Sequence, residues 1–136
     1  MEIPAIDDSY EEAKRKAKLF YAGIGEVWCP ALGDYVVFNS VGFRHLLRKR
    51  GKSRLHGEQK RRFSLLCHAS DILGDPATHF VKTEKVVVKL VSWKKARVKY
   101  SSHGEFWVFR EIRGGSKTTL LVRKLGNGKK HFFSIY

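Results

Sequence analysis

The spacing of apolar residues changes at Pro76. Upstream, Ala13, Ala17 and Phe20, then Phe43, Leu46 and Leu47, then Phe63, Leu66 and Leu73 recur at helical intervals. Downstream, apolar residues alternate in short runs separated by turn residues, with strands expected near 85–93, 96–101, 105–113, 117–124 and 130–136. Short connections between consecutive strands imply antiparallel neighbours. The expected fold is α+β, with N-terminal helices packed on one face of an antiparallel β-meander of four to five strands. At 136 residues and 43% apolar content, the chain is long enough for one domain with its own core, 1–136, in which 1–25 form a helical extension to the body 26–136.

Punctuation supports the helices. Asp7, Asp8 and Ser9 supply N-cap chemistry to a first helix that Gly23 and Gly25 end. Pro30 and Gly33 divide a small extended hairpin, Asn39 caps a second helix expected to run through Arg50 to a stop at Gly51, and a third runs from about Gly57 to Leu73 before Gly74, Asp75 and Pro76. On the second helix His45 falls opposite Phe43, beside Arg48 and Lys49, and is expected to look outward.

Two turns fix the register of the sheet. With Asn127-Gly128 as a type I′ turn, Arg123 faces Phe132, Val122 faces Phe133, Leu121 faces Ser134, Leu120 faces Ile135 and Thr119 faces Tyr136. The Gly114-Gly115 turn sets Arg110 opposite Thr119 and brings Trp107 and Phe109 beside Val122 and Leu120. One face is then apolar, with Trp107, Phe109, Leu120, Val122, Phe133 and Ile135. The other gathers Arg110, Thr119, Arg123, Lys130, Ser134 and Tyr136 among Phe106, Val108, Leu121 and Phe132. Such a surface suits RNA, since phosphates pair with cations while bases stack on rings; an ordinary solvated sheet face has the same ingredients.

Charge selects the class of partner. Lys and Arg total 27 against 13 Asp and Glu, a net +14, which favours a polyanion. Every hydrophobic run is interrupted by charge, so no membrane span is expected. Cys29 and Cys67 without a leading apolar segment fit a reducing cytoplasm, and Cys67 with His68 lacks the second ligand pair a zinc site needs, so neither a metal nor a cofactor is expected. His56, His68, His79 and His103 show no partner pattern, His131 falls on the packed side, and Trp28, Trp93 and Trp107 read as core or rim aromatics.

The segment CPALGDYVVFNSVGFRHLLRKRGKSR (29–54), a following basic helix, the Gly-Asp-Pro stop, the sheet and the terminal GNGKKHFFSIY together resemble the phage-associated nucleases of the barnase/EndoU/colicin/RelE-like (BECR) fold. FNSVGFRHLL and KKHFFSIY are the recognisable parts, and the resemblance spans about 26–136. It implies a toxin-like, metal-independent endoribonuclease acting on RNA such as tRNA, in which the substrate's 2′-hydroxyl attacks and leaves a 2′,3′-cyclic phosphate. It also implies a catalytic set of His45, Arg110, Arg123 and Ser134. Imidazole serves as base or acid near neutral pH, and guanidinium offers bidentate donors to phosphate. Arg48, Thr119, Lys129, Lys130 and Tyr136 would hold the substrate, and an acidic immunity or antitoxin protein is a second expected partner. Two other readings stand beside it: a non-catalytic basic RNA- or DNA-binding module, and a protein-interaction role in a phage or CRISPR-like assembly.

Overall fold

The computed structural model of the chain describes residues 2–5, 7–93 and 96–136, apart from the side chains of 88–93, 98 and 100. The elements are α1 (Tyr10–Ile24), β1 (Glu26–Cys29), β2 (Asp34–Val37), α2 (Ser40–Leu47), β3 (Arg48–Lys49), β4 (Lys52–Ser53), α3 (His56–Leu65), a 3-10 turn at Leu66–His68 and α4 (Ala69–Gly74). The long strands follow: β5 (Phe80–Trp93), β6 (Ala96–Arg113), β7 (Ser116–Leu125) and β8 (His131–Ile135). Helices precede the meander as the change of period predicts, and the class is α+β.

The caps form as the sequence implies. Ser9 Oγ accepts from the Glu12 amide at 3.2 Å, and Asn39 Oδ1 accepts from the Val41 amide at 3.2 Å. Helix α1 buries Ala13, Ala17 and Tyr21, and the Tyr21 hydroxyl donates to the Asn39 carbonyl at 2.6 Å, tying α1 to the start of α2. Helix α2 stops at Leu47, short of the expected Arg50. Arg50 (φ 52°) and Gly51 (φ 77°) form a two-residue positive-φ turn between Lys49 and Lys52, so the glycine turns a hairpin instead of capping a helix. The expected third helix is likewise broken into α3, the 3-10 turn and α4.

The expected meander of four to five strands is part of a larger sheet, six strands in the order β1-β2-β8-β7-β6-β5, in which β2 runs parallel to β8 through Val37 and His131. Local pairing rules reach only neighbours in sequence, so they give the small extended hairpin of β1 and β2 but not its junction with β8. Strands expected at 96–101 and 105–113 are one continuous β6, paired with β5 from Trp93↔Ala96 to Phe80↔Phe109. Strand β6 meets β7 only from Gly104 onward, so the outer halves of β5 and β6 pair with each other alone and form an arm. Gly104 is the first residue of β6 to pair on both sides, with Lys85 and Leu125, and an added Cβ there would lie 2.8 Å from Val87 Cγ2. The Trp93 side chain and residues 94 and 95 lie outside the described residues.

The Gly114-Gly115 register holds, with Arg110↔Thr119, Trp107↔Val122 and Phe109↔Leu120. The β7–β8 register is corrected. Its turn centres on Gly126-Asn127, with the Gly128 amide donating to the Leu125 carbonyl at 2.9 Å, so Arg123 meets His131 and Val122 meets Phe132. A bulge opposite Leu121 and Val122 absorbs the slip and restores Leu121↔Ser134 and Leu120↔Ile135. Phe132 therefore turns inward and stacks on Phe38 at 4.8 Å, while Phe133 turns out, the reverse of the expectation.

Trp107, Phe109, Leu120, Val122, Phe132 and Ile135 form the sheet side of the core, and Tyr21, Leu46, Phe63, Leu66, Ile72 and Leu73 form the helix side. Helix α2 abuts β8 through Gly42, where a Cβ would fall 2.5 Å from Tyr21 Oη and closer still to the Phe132 carbonyl. Among the described residues no helix is long and apolar enough to cross a membrane. Cys29 is buried, Cys67 is half-buried and both are free thiols, with burial pushing each pKa up.

Candidate functional site

Phe133, turned outward by the bulge, forms the floor of a cleft. The His45 ring lies 4.2 Å from it, the Arg123 guanidinium 4.3 Å over its face, and Phe106 meets it edge-on at 6.0 Å. Arg123 is 6% exposed and donates from Nε to His131 Nε2 at 3.1 Å; a guanidinium can only donate, so this imidazole nitrogen accepts. Val41, Arg44 and Arg48 form one wall with Arg50 and Gly51 of the β3–β4 turn, and Val87 and Arg97 of the arm form the other. The space between them is about 980 Å³.

This lining has five arginines and, among the described residues, no carboxylate or thiol. Burial pushes the His45 imidazole down to about 4, and Arg54, Arg62, Arg123 and Lys49 add to the effect. The ring is therefore neutral at pH 7, and its Nδ1 is buried with no hydrogen-bond partner among the described residues. Behind it, Arg54 donates from Nε to the His45 carbonyl at 3.0 Å and from Nη1 to Glu58 at 3.1 Å. Arg62 donates to the same Glu58 oxygen from Nε and Nη2 at 3.3 and 3.1 Å. Desolvation opposes ionisation of Glu58, but the hydrogen bonds and charges of the two arginines outweigh it and hold the carboxyl below its usual range. One carboxylate shared by two guanidinium groups leaves the layer behind the cleft positive as well.

The residues expected to act together divide. His45, Arg48 and Arg123 meet in the cleft. His45 does not look freely outward and does not titrate near neutrality, because it packs on Phe133 among cations. Ser134 is not on an open surface: it is 0% exposed, and its hydroxyl accepts from Arg62 Nη1 at 2.8 Å. Arg110 is exposed on the Arg123 side of the sheet but four residues along β6 from Phe106, the partner of Arg123, or about 13 Å at strand rise. It lines a separate hollow with Thr119, Lys117 and Glu111. Lys130 turns to Asp34 at 2.8 Å, Tyr136 lies under the Arg62 guanidinium at 5.2 Å, and Lys129 is exposed in the loop before β8.

Arg44, Arg50 and Arg97 were missed, as were Arg54 and Arg62 behind them. Arg44 sits one residue before His45 on the same helix, and the Arg50-Gly51 dipeptide carries a turn signal; nothing local marks Arg97. A second cluster brings ligand atoms of Glu84, His103 and Glu105 within 4.8 Å of one another, but the Lys82 ammonium lies 3.4 Å from Glu84 and 2.9 Å from Glu105 and supplies its cation. Comparison of the chain with known protein families, with characterised proteins and with solved structures gives no match.

Proposed function

We propose that the chain is a BECR-like, metal-independent endoribonuclease that holds RNA in the arginine-lined cleft and cuts it there. The observation that carries this reading is one neutral imidazole, His45, set beside Arg123 on a floor walled by Arg44, Arg48, Arg50 and Arg97. A base must be unprotonated to act, and guanidinium groups stabilise the charge that accumulates on phosphate. His45 takes the proton of the 2′-hydroxyl, whose oxygen forms a bond to phosphorus as the bond to the 5′-oxygen breaks; solvent protonates the departing 5′-oxygen. The products are a 2′,3′-cyclic phosphate and a 5′-hydroxyl. An anion bound among these cations also raises the imidazole's basicity, so substrate improves its own base.

The test is total RNA incubated with the protein in EDTA, with the ends of the products identified. His45→Ala is expected to lower cleavage by about a hundredfold or more while binding persists, and kcat/KM is expected to show its acid limb near pH 4, the value for the free protein. Cleavage by the variant at the wild-type rate removes His45 from the mechanism. A non-catalytic RNA- or DNA-binding module is the second reading, favoured by the weak basicity of an imidazole pushed so low. It predicts salt-sensitive binding without product under any condition.

A further inference from the structure

Away from the cleft, the outer face of the sheet bears two large, half-exposed rings. Trp28 on β1 and Tyr35 on β2 are register partners, 48% and 49% exposed, in edge contact at 5.0 Å. Strand alternation fixes their side: Cys29 and Val36 are fully buried in the core, so Trp28 and Tyr35 point the other way. Val37, two residues beyond Tyr35, pairs with His131, which pairs with Arg123. Two residues at about 3.3 Å and two strand spacings of about 4.8 Å set the Tyr35 and Arg123 backbones about 12 Å apart. About three stacked nucleotides span that distance at 3.4 Å each.

We infer that Trp28 and Tyr35 form a base-stacking subsite that selects single-stranded RNA and feeds it to the cleft. This deepens the ribonuclease reading and rests on it. The occupant follows from the division of chemistry across one face. The cleft supplies the cations for phosphates, whereas the aromatic pair offers two half-exposed rings on a face shared with Glu26, the partner of Val37, and so suits a base better than a phosphate. Bases stack on exposed rings only when unpaired, so a duplex meets the arginines but gains nothing from the pair.

The probe is a labelled 2′-O-methyl RNA of about eight nucleotides, which has no free 2′-hydroxyl to attack, used alone and annealed to its complement. Trp28→Ala and Tyr35→Ala are each expected to weaken single-strand binding by about tenfold, leaving duplex affinity and the salt slope unchanged. Trp28→Phe, which keeps a ring, is expected to recover most of the loss, and an unchanged unfolding midpoint separates the effect from misfolding. Single-strand affinity within about twofold of wild type in both alanine variants, or equal losses for strand and duplex, overturns the subsite. If Arg44→Ala weakens binding while the aromatic variants do not, the cleft reading stands and only this inference falls. If the unsubstituted protein binds neither probe, the functional reading falls with it.

Discussion

Acidification tests the electrostatics of the cleft directly. His45 titrates at about 4 in the folded chain against 6.5 ordinarily, through burial first and then the charges of Arg54, Arg62, Arg123 and Lys49. Between those two values the unfolded chain binds a proton that the folded chain refuses, so stability falls as pH drops through this window and is fully present above it. A shift of that size corresponds to about 3 kcal/mol; the ring is only half-buried, and allowing for solvent screening leaves about 2 kcal/mol. Urea unfolding of the wild type and of His45→Leu, on both sides of the window, isolates the contribution, because other carboxylates and histidines titrate alike in the two proteins. The wild type is expected to lose about 2 kcal/mol more than the variant on acidification, and the His45 ring protons are expected to titrate near pH 4 by NMR. A bound 2′-O-methyl oligonucleotide is expected to move that titration upward, and binding strengthens correspondingly at acid pH. An imidazole that titrates near 6.5, or a stability difference independent of pH, refutes the reasoning.

Three substitutions examine other parts of the molecule. Gly42→Ala drives a methyl group against Tyr21 Oη and the Phe132 carbonyl, and a loss of about 3 kcal/mol in urea unfolding is expected. Ser134→Ala leaves Arg62 Nη1 with only the Ile135 carbonyl at 3.3 Å; it is expected to cost about 1–2 kcal/mol of stability, while RNA cleavage per folded molecule changes little. Arg50→Gly relieves a positive φ and is expected to raise stability by about 0.5–1 kcal/mol, yet to weaken RNA binding and lower the salt slope by about one, so that thermal melts and binding isotherms move in opposite directions.

Local chemistry was legible in the sequence and long-range assembly was not. Ser9 and Asn39 cap their helices because a short polar side chain before a helical pattern has few alternatives, and the Gly114-Gly115 turn fixed Arg110 opposite Thr119 correctly. Two overlapping pairs, Gly126-Asn127 and Asn127-Gly128, could each centre the turn, and the choice between them moved the register by one. The bulge then hid the error from Leu121 onward, so the expected Leu121↔Ser134 pair exists while Ser134 lies buried against Arg62. For the site, RHLLRKR marked a basic helix end, and His45 was found because it is the one histidine in that run. Its partner Arg123 was also found, but the packing on Phe133 that gives the pair its electrostatics depended on the bulge, which no local pattern announces. Arg97 needed the β5–β6 arm to be seen as one unbroken ribbon.

The position of β8 has a kinetic consequence. Five residues, the last strand in chain order, lie between β2 and β7, and they supply Phe132 and Ile135 to the interior and Phe133 to the cleft. The β7–β8 pairing is local, whereas the contacts of β8 with the N-terminal part, Val37 with His131 and Phe38 with Phe132, are distant along the chain and close slowly. A chain lacking those residues has neither a completed interior nor the Phe133 floor of the cleft, so both wait on the docking of β8.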